Sequence, residues 1–132
     1  MKLTKPQQLI YDIEKTIGGP VAVMCGIMTV DKLCPEEDVV AAIKKLYETN
    51  ETLNYRLDVS APEPQMYYKS PEDREVKVIR VESLSELDAI GKAEAAKPFD
   101  MNGWLSDLTA IIHPNGYGMV IKVHHLLGDA WS

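Results

Sequence analysis

The sequence is poor in cysteine, phenylalanine and positive charge, and it has no long apolar run. Its 132 residues include two cysteines, one phenylalanine and three histidines. Lysine and arginine number 14 against 20 aspartates and glutamates, a formal net charge of −6. No basic surface is therefore available to neutralise nucleic-acid phosphates, and no apolar stretch approaches the roughly 18 residues of a membrane span. We expect neither nucleic acid nor membrane as a partner.

The few cysteines also bear on the cellular compartment. Cys25 and Cys34 are too few for a disulfide framework or a cysteine-based zinc site. Their apolar surroundings are typical of reduced, inert thiols. Residues 1–6 carry two lysines but lack the apolar segment of a secretory signal peptide. We therefore expect a cytoplasmic protein.

Hydrophobic residues make up 45% of the chain, enough for one core. Their alternating helical and strand periods predict the order α-β-α-β-β-β-α-β-β, which indicates a mixed α/β (α+β) fold with helices packed on a mixed sheet. The charged run 71–75 is predicted to be a solvated loop. The predicted segments are a helix after the cap Thr4 with an apolar face of Leu9, Ile10, Ile13 and Ile17, a strand at 21–30 covered on both faces, a helix from 36 that buries Val39, Ile43, Leu46 and Tyr47, two short strands within 53–69, a strand at 76–81, a helix capped by Ser85 to about 97, and strands 104–113 and 117–124. Residues 114–116 (Pro-Asn-Gly) join the last two strands, and their Asn-Gly pair predicts a hairpin.

Two adjacent histidines, His124 and His125, stand at the predicted end of the last strand, and Asp129 follows them. Because side chains alternate along a strand, we expect His125 on the face of Ile121 and His124 on the face of Lys122. The two imidazoles therefore cannot act side by side. One ring can enter a reaction channel while the other packs into the structure.

This histidine pair has three interpretations on residue type alone. Imidazole is the side chain best matched to proton transfer near neutral pH, which favours a catalytic role. The pair could equally be structural, or it could be half of a metal site. A metal site would need a third ligand, either His113 or a carboxylate.

Five segments spread along the chain carry a resemblance to a known family. Residues 4–8 are similar to its opening helix, 48–57 to an internal segment, and 98–100 (Pro-Phe-Asp) to the end of the helix before its long hairpin. Residues 124–129 are similar to its signature His-His-x-x-x-Asp, and 131–132 (Trp-Ser) to the ending in its peptide-bond-forming members. The chain thus resembles the condensation domains of nonribosomal peptide synthetases.

The resemblance implies a chloramphenicol-acetyltransferase-like fold, with two related lobes and the signature in a tunnel between them. Residues 1–132 would be the N-terminal lobe, truncated, with the second lobe absent. The implied enzyme is an acyltransferase that joins an acyl or peptidyl thioester on one carrier protein to the amine of an aminoacyl group on another. Both substrates arrive on phosphopantetheine arms, and no metal or other cofactor is bound directly. The implied partners are the donor and acceptor carrier domains and the C-terminal lobe.

The resemblance also implies roles for individual residues. His125 would accept a proton from the attacking amine or position it, His124 would be structural, and Asp129 would form a salt bridge that shapes the loop. Asn54 stands where the family usually has the arginine for that bridge. Arg56 lies two residues further on the same strand face, about 7 Å away, and we hypothesise that it reaches Asp129. The residues expected along the substrate channel are Gly128, Ala130, Trp131 and Ser132.

Two other functions remain open at this point. One is a free-standing acyltransferase of the same superfamily that uses an acyl-CoA or acyl-carrier donor. The other is a non-catalytic lobe that only docks a carrier protein. Half a tunnel cannot hold both substrates, so we expect the 132-residue chain to be inactive by itself.

Overall fold

A computed structural model of the chain describes residues 2–17, 23–60, 63–97, 99 and 103–127. The order of its elements confirms the predicted order and the mixed α/β fold. No helix within these ranges is long and apolar enough to cross a membrane. The elements are α1 (Lys5–Ile17), β1 (Val23–Val30), α2 (Glu36–Thr49), β2 (Tyr55–Asp58), β3 (Gln65–Tyr68), β4 (Val78–Arg80), α3 (Glu86–Ala96), β5 (Ser106–His113) and β6 (Gly116–His124), with short 3-10 turns at Glu51–Asn54 and Pro71–Asp73.

Four strands form the main sheet in the order β1-β6-β5-β4. β6 pairs antiparallel with both β1 and β5, whereas β4 pairs parallel with β5. The parallel pair needs a crossover connection, which α3 supplies between β4 and β5. β2 and β3 form a separate antiparallel pair. The predicted mixed sheet is confirmed, with this second small sheet beside it.

Helices cover both faces of the main sheet. On one face α2 buries Val39, Ile43 and Tyr47 in the larger core, together with Leu108 and Val123 from the sheet. On the other face Leu87 of α3 packs in a smaller cluster. The sheet residues of that smaller cluster include Ile111 and Val120, with Cys25 and Ile27 packed against them.

The hairpin between β5 and β6 is confirmed, but its turn lies one residue earlier than an Asn-Gly turn, and Gly116 is the first residue of β6. Residues 114–115 form the turn, and Gly116 pairs with His113. A Cβ atom on Gly116 would overlap the backbone carbonyl oxygen of Val30 at the end of β1. Glycine therefore allows β6 to approach the chain that follows β1.

Two predicted apolar surfaces are wrong in part. On α1, Leu9 and Ile13 are 59% and 42% exposed, Ile10 packs against the larger core, and the side chain of Ile17 lies outside those described. Among residues 5–13 of α1, the buried side chain is Gln7. On β1, Met24 and Met28 are 40% and 49% exposed, because β1 is an edge strand. The burial of residues 23–30 therefore follows one face rather than both.

Smaller differences concern the other two helices and β5. Leu46 of α2 is 37% exposed. Ser85 precedes α3 but makes no capping hydrogen bond with its side chain. Instead, a carboxylate oxygen of Glu86 accepts the N–H groups of residues 82 and 83, which ties the bend before the helix to its first residue. Trp104 lies outside β5, in a single bridge with Arg56.

Candidate active site

His124 ends β6 and is fully buried. Its backbone N–H donates to the carbonyl of Leu105 at 2.9 Å. Its ring Nδ1 accepts the N–H of Leu126 at 3.1 Å, so a neutral ring carries its proton on Nε2. The ring centre lies 6.2 Å from that of Phe99. His124 is thus held on several sides by the structure.

His125 lies where the chain leaves the sheet. A helical turn begins at this residue and includes 125–127, so its predicted place on the strand face of Ile121 is wrong. His125 is exposed, whereas Leu126 and Leu127 are both fully buried. The chain therefore presents one imidazole outward from a stretch that is otherwise buried.

Gln7 connects this turn to the start of α1. Its side chain is buried, and Nε2 donates to the carbonyl of Leu126 at 2.8 Å. Its Oε1 accepts the N–H of Thr4 at 2.8 Å, while the hydroxyl oxygen of Thr4 accepts the N–H of Gln7 at 3.2 Å. This reciprocal arrangement is a capping box, and it confirms Thr4 as the cap. The glutamine thus stabilises the helix end and the turn that presents His125.

The third histidine lies at the other end of the hairpin. His113 pairs with Gly116, at the opposite end of β6 from His124. At about 3.4 Å per residue, the eight steps from 116 to 124 separate the two ends by roughly 27 Å. The three histidines therefore do not share a metal site. Within the described ranges, no group of three histidine, cysteine or acidic residues is placed to hold a metal ion.

Arg56 lies at the same end of the sheet as the histidine pair. Its backbone forms a bridge with Trp104, and its guanidinium carbon lies 5.2 Å from the centre of that ring. Leu105 follows Trp104 in the chain, and its carbonyl oxygen accepts the backbone N–H of His124. The hypothesised partner of Arg56, Asp129, lies outside the described residues. The predicted channel residues Gly128, Ala130, Trp131 and Ser132 lie outside them as well.

Sequence reasoning missed Arg74. Within the charged run 71–75 it was expected in solvent, but its guanidinium lies between two aromatic rings. The guanidinium carbon is 4.0 Å from the ring centre of Tyr47 and 4.1 Å from that of Trp104. The solvated-loop prediction is therefore wrong for this residue. An arginine among acidic residues carries no local signal of burial, since its aromatic partners lie far away in the sequence.

Arg74 also closes an open strand edge. β4 pairs only with residues 110–112 of β5, so the first residues of β5 lack a neighbouring strand on that side. There the guanidinium of Arg74 donates to the carbonyl of Ser106, and the N–H of Leu108 donates to the hydroxyl of Tyr47 at 2.7 Å. These bonds satisfy groups that an edge leaves unpaired. Burial lowers the pKa of Arg74 and raises that of Tyr47.

The comparisons with known proteins give matches among solved structures. No protein-family model matches the chain, and no curated protein matches it. The starter condensation domain of the rhizomide synthetase RzmA superimposes with a TM-score of 0.83 at 14% identity, over 95% of this chain and 33% of that one. The first condensation domain of the CDA synthetase superimposes with a TM-score of 0.80 at 15% identity, and the match covers 94% of this chain and 35% of that domain. A variant of the RzmA domain in complex with C8-CoA and Leu-SNAC superimposes with a TM-score of 0.82 at 14% identity, and the match covers 95% of this chain and 30% of that domain.

The chain therefore has the fold of a part of a condensation domain. This confirms the resemblance at the level of the fold, together with the mixed α/β, chloramphenicol-acetyltransferase-like architecture that it implied. Identities of 14–15% show the fold alone. The chain spans about a third of the length of the domains it matches.

Proposed function

We propose that the chain is the N-terminal lobe of a condensation domain that forms amide bonds in nonribosomal peptide synthesis. The donor is an acyl or peptidyl thioester on one carrier protein, and the acceptor is the amine of an aminoacyl group on another. The observation that carries the proposal is the setting of His125. It is an exposed imidazole beside fully buried residues, in a chain that has the condensation-domain fold.

The proposed reaction needs proton handling and positioning. The acceptor amine attacks the thioester carbonyl carbon, so a C–N bond forms and the C–S bond breaks. The nitrogen gives up a proton, and the leaving thiolate takes one. His125 accepts the amine proton or holds the amine by a hydrogen bond, and general-base help of this kind contributes about 10²–10⁴ in rate.

The surrounding residues support His125 in this proposal. Buried His124 fixes the end of the strand, and Gln7 fixes the turn through the carbonyl of Leu126. Asp129 and Arg56 would form the salt bridge that shapes the loop. The channel would be lined by Gly128, Ala130, Trp131 and Ser132.

The proposed substrates and partners follow from the same chemistry. Both acyl groups arrive on phosphopantetheine arms of carrier domains, and no resident cofactor or metal is needed. The C8-CoA and Leu-SNAC bound by the rhizomide synthetase variant support thioester substrates of this class. A C-terminal lobe would complete the tunnel, so the 132-residue chain alone would be inactive. We place the protein in the cytoplasm, where carrier-bound synthesis takes place.

The first experiment is the mass of the native polypeptide that contains these residues. A mass near 14.7 kDa would overturn the catalytic proposal and favour the lobe that only docks a carrier. A mass of roughly 50 kDa would support a two-lobed, free-standing acyltransferase. A mass above about 100 kDa would support a lobe within a multidomain synthetase.

The second experiment replaces His125 in that native polypeptide. We expect His125→Ala to lower the rate of amide formation from acyl- and aminoacyl-thioester substrates by about 10²–10⁴. The thermal midpoint should not change, because the side chain is exposed. Product is measured by mass spectrometry, and carrier binding by titration.

Lys92→Ala is the matched control for that replacement. Lys92 is 79% exposed on α3, and its ion-pair partner among the described residues is Asp88 of the same helix, so its removal should leave the rate intact. Unchanged product formation in His125→Ala would contradict both catalytic functions. Loss of carrier binding in His125→Ala, with chemistry on free thioesters intact, would favour docking instead.

A further inference from the structure

Arg74 holds the first residue of β5 from the open side of the main sheet. Its Nη2 donates to the carbonyl of Ser106 at 2.5 Å. Its Nη1 donates to the hydroxyl oxygen of Ser106 at 3.1 Å and to the carbonyl of Leu53 at 2.9 Å. The hydroxyl of Ser106 in turn donates to the same carbonyl of Leu53 at 2.7 Å. The carbonyl and the hydroxyl of Ser106, which is 1% exposed, are therefore both fixed.

The residue that Arg74 holds lies next to the one that holds the end of β6. Ser106 begins β5, and the carbonyl of the preceding residue, Leu105, accepts the backbone N–H of His124 at 2.9 Å. His125 follows His124 directly in the chain. A continuous path of hydrogen bonds and covalent bonds thus leads from the guanidinium through residues 106 and 105 to the exposed imidazole.

No strand among the described residues covers this part of β5 on the side of Arg74. β4 pairs with residues 110–112, and the bridge from β2 reaches only Trp104. Between these two contacts, the guanidinium of Arg74 binds the carbonyl of Ser106. A side chain therefore takes the place of a neighbouring strand, and the position of Leu105 depends on that side chain.

The planar shape of the guanidinium suits this position. Its carbon lies 4.0 Å from the ring centre of Tyr47 and 4.1 Å from that of Trp104, so both of its faces are covered. Its in-plane N–H groups remain available to the strand, and the oxygens that they reach belong to Leu53, Asn54 and Ser106. A lysine ammonium can neither stack in this way nor present a rigid fork of donors.

We infer that Arg74 is a positioning residue for His125, because it fixes the start of β5 that holds the backbone of His124. The inference rests on the proposed function, in which His125 handles the amine proton. A displacement of Leu105 moves His124 and with it the imidazole of His125. A misplacement of about 1 Å by a distant mutation can lower a rate by about 10². Arg74 touches no substrate in this inference, so substrate binding should not depend on it.

The test compares Arg74→Met with the wild type in the native polypeptide, at a temperature where both are folded. Methionine fills the space between the two rings but donates no hydrogen bond. We expect kcat for amide formation to fall at least about tenfold, while KM for both thioesters stays within about twofold. Hydrogen exchange at the N–H of His124 should become faster, because its acceptor is no longer fixed.

Arg80→Met is the matched control. The side chain of Arg80 is 66% exposed on β4 and pairs with Glu36, so its removal should leave both the rate and the exchange unchanged. Where Arg74→Met does not fold, Arg74→Lys is measured in the same way, since it keeps the stem and the charge but loses the fork. A wild-type kcat in either variant of Arg74 would overturn the inference.

A double variant separates positioning from a general loss of structure. Because Arg74 acts through His125, Arg74→Met should add less than about threefold to the loss caused by His125→Ala. A full additional loss in the double variant would overturn the inference in favour of a purely structural arginine. An unchanged rate in His125→Ala would instead contradict the proposed function, so the two failures are distinct.

Discussion

The two ends of the β5–β6 hairpin both carry histidine, and they use it differently. At the turn end, His113 is buried, its Nδ1 accepts the N–H of Asn115, and its Nε2 lies 3.2 Å from the carbonyl oxygen of Val30. Both ring nitrogens therefore have partners inside the fold. At the other end, His124 is buried and bonded in a similar way, but its neighbour His125 is exposed.

The comparison teaches that the role of a histidine depends on where its ring nitrogens point. His113 and His124 use their rings to satisfy backbone groups at strand ends, which is a structural task. His125 gains its position from its neighbours and keeps its ring outside. An imidazole held by the backbone and open to a substrate fits the requirements of proton transfer.

The largest expected effect concerns the buried ring next to His125. His124→Ala removes a fully buried side chain and leaves the N–H of Leu126 without its acceptor. We expect the free energy of unfolding to fall by about 3–5 kcal/mol, as for other large buried rings. Urea unfolding measures the change. His125→Ala is the matched control and should stay within about 0.5 kcal/mol of the wild type. Equal losses from the two variants would contradict the distinction between the rings.

The next effect concerns the turn end of the hairpin. Gly116→Ala places a Cβ against the carbonyl of Val30, and we expect a loss of about 1–3 kcal/mol from overpacking. Gly26→Ala is the matched control, because a Cβ at Gly26 meets nothing within 4 Å. Thermal unfolding of both variants measures the difference. If Gly116→Ala were as stable as Gly26→Ala, the close approach of β6 to the chain after β1 would be wrong.

The smallest effect concerns the support of the turn from α1. Gln7→Leu removes the donor to the carbonyl of Leu126, so we expect a loss of about 1–2 kcal/mol. Hydrogen exchange should show faster exchange at Leu126 and Leu127 than in the wild type. Gln8→Leu is the control, since the side chain of Gln8 donates at the surface to Asp12 of the same helix. Unchanged exchange in Gln7→Leu would mean that the turn holds without α1.

Local patterns in the sequence predicted most of the architecture. The element order, the cap at Thr4 and the hairpin between the last two strands are confirmed, although the turn lies one residue earlier than Asn115-Gly116. Each depends on backbone preferences and hydrogen bonds within a few residues, and such effects are visible in the sequence. The histidine pair was found in the same way, because both residues stand at the end of a strongly apolar strand.

Burial was harder to predict than secondary structure. Leu9 on α1 and Met28 on β1 looked like core residues, yet both are exposed. Leu9 lies on the solvent side of α1, and Met28 lies on the edge strand of the main sheet. Arg74 looked like a surface residue, yet Tyr47 and Trp104 enclose it. Hydrophobic periodicity shows which residues share a face, but not whether another element reaches that face.

By itself, the sequence determined where helices, strands and the hairpin form, and that two histidines stand at the end of β6. The tertiary structure decided which histidine is exposed, because the chain leaves the sheet after His124 and contacts from Leu105 and Gln7 hold the turn that follows. It also decided that Arg74 reaches the start of β5. Periodicity and turn chemistry act over a few residues, whereas these arrangements depend on groups that only folding brings together.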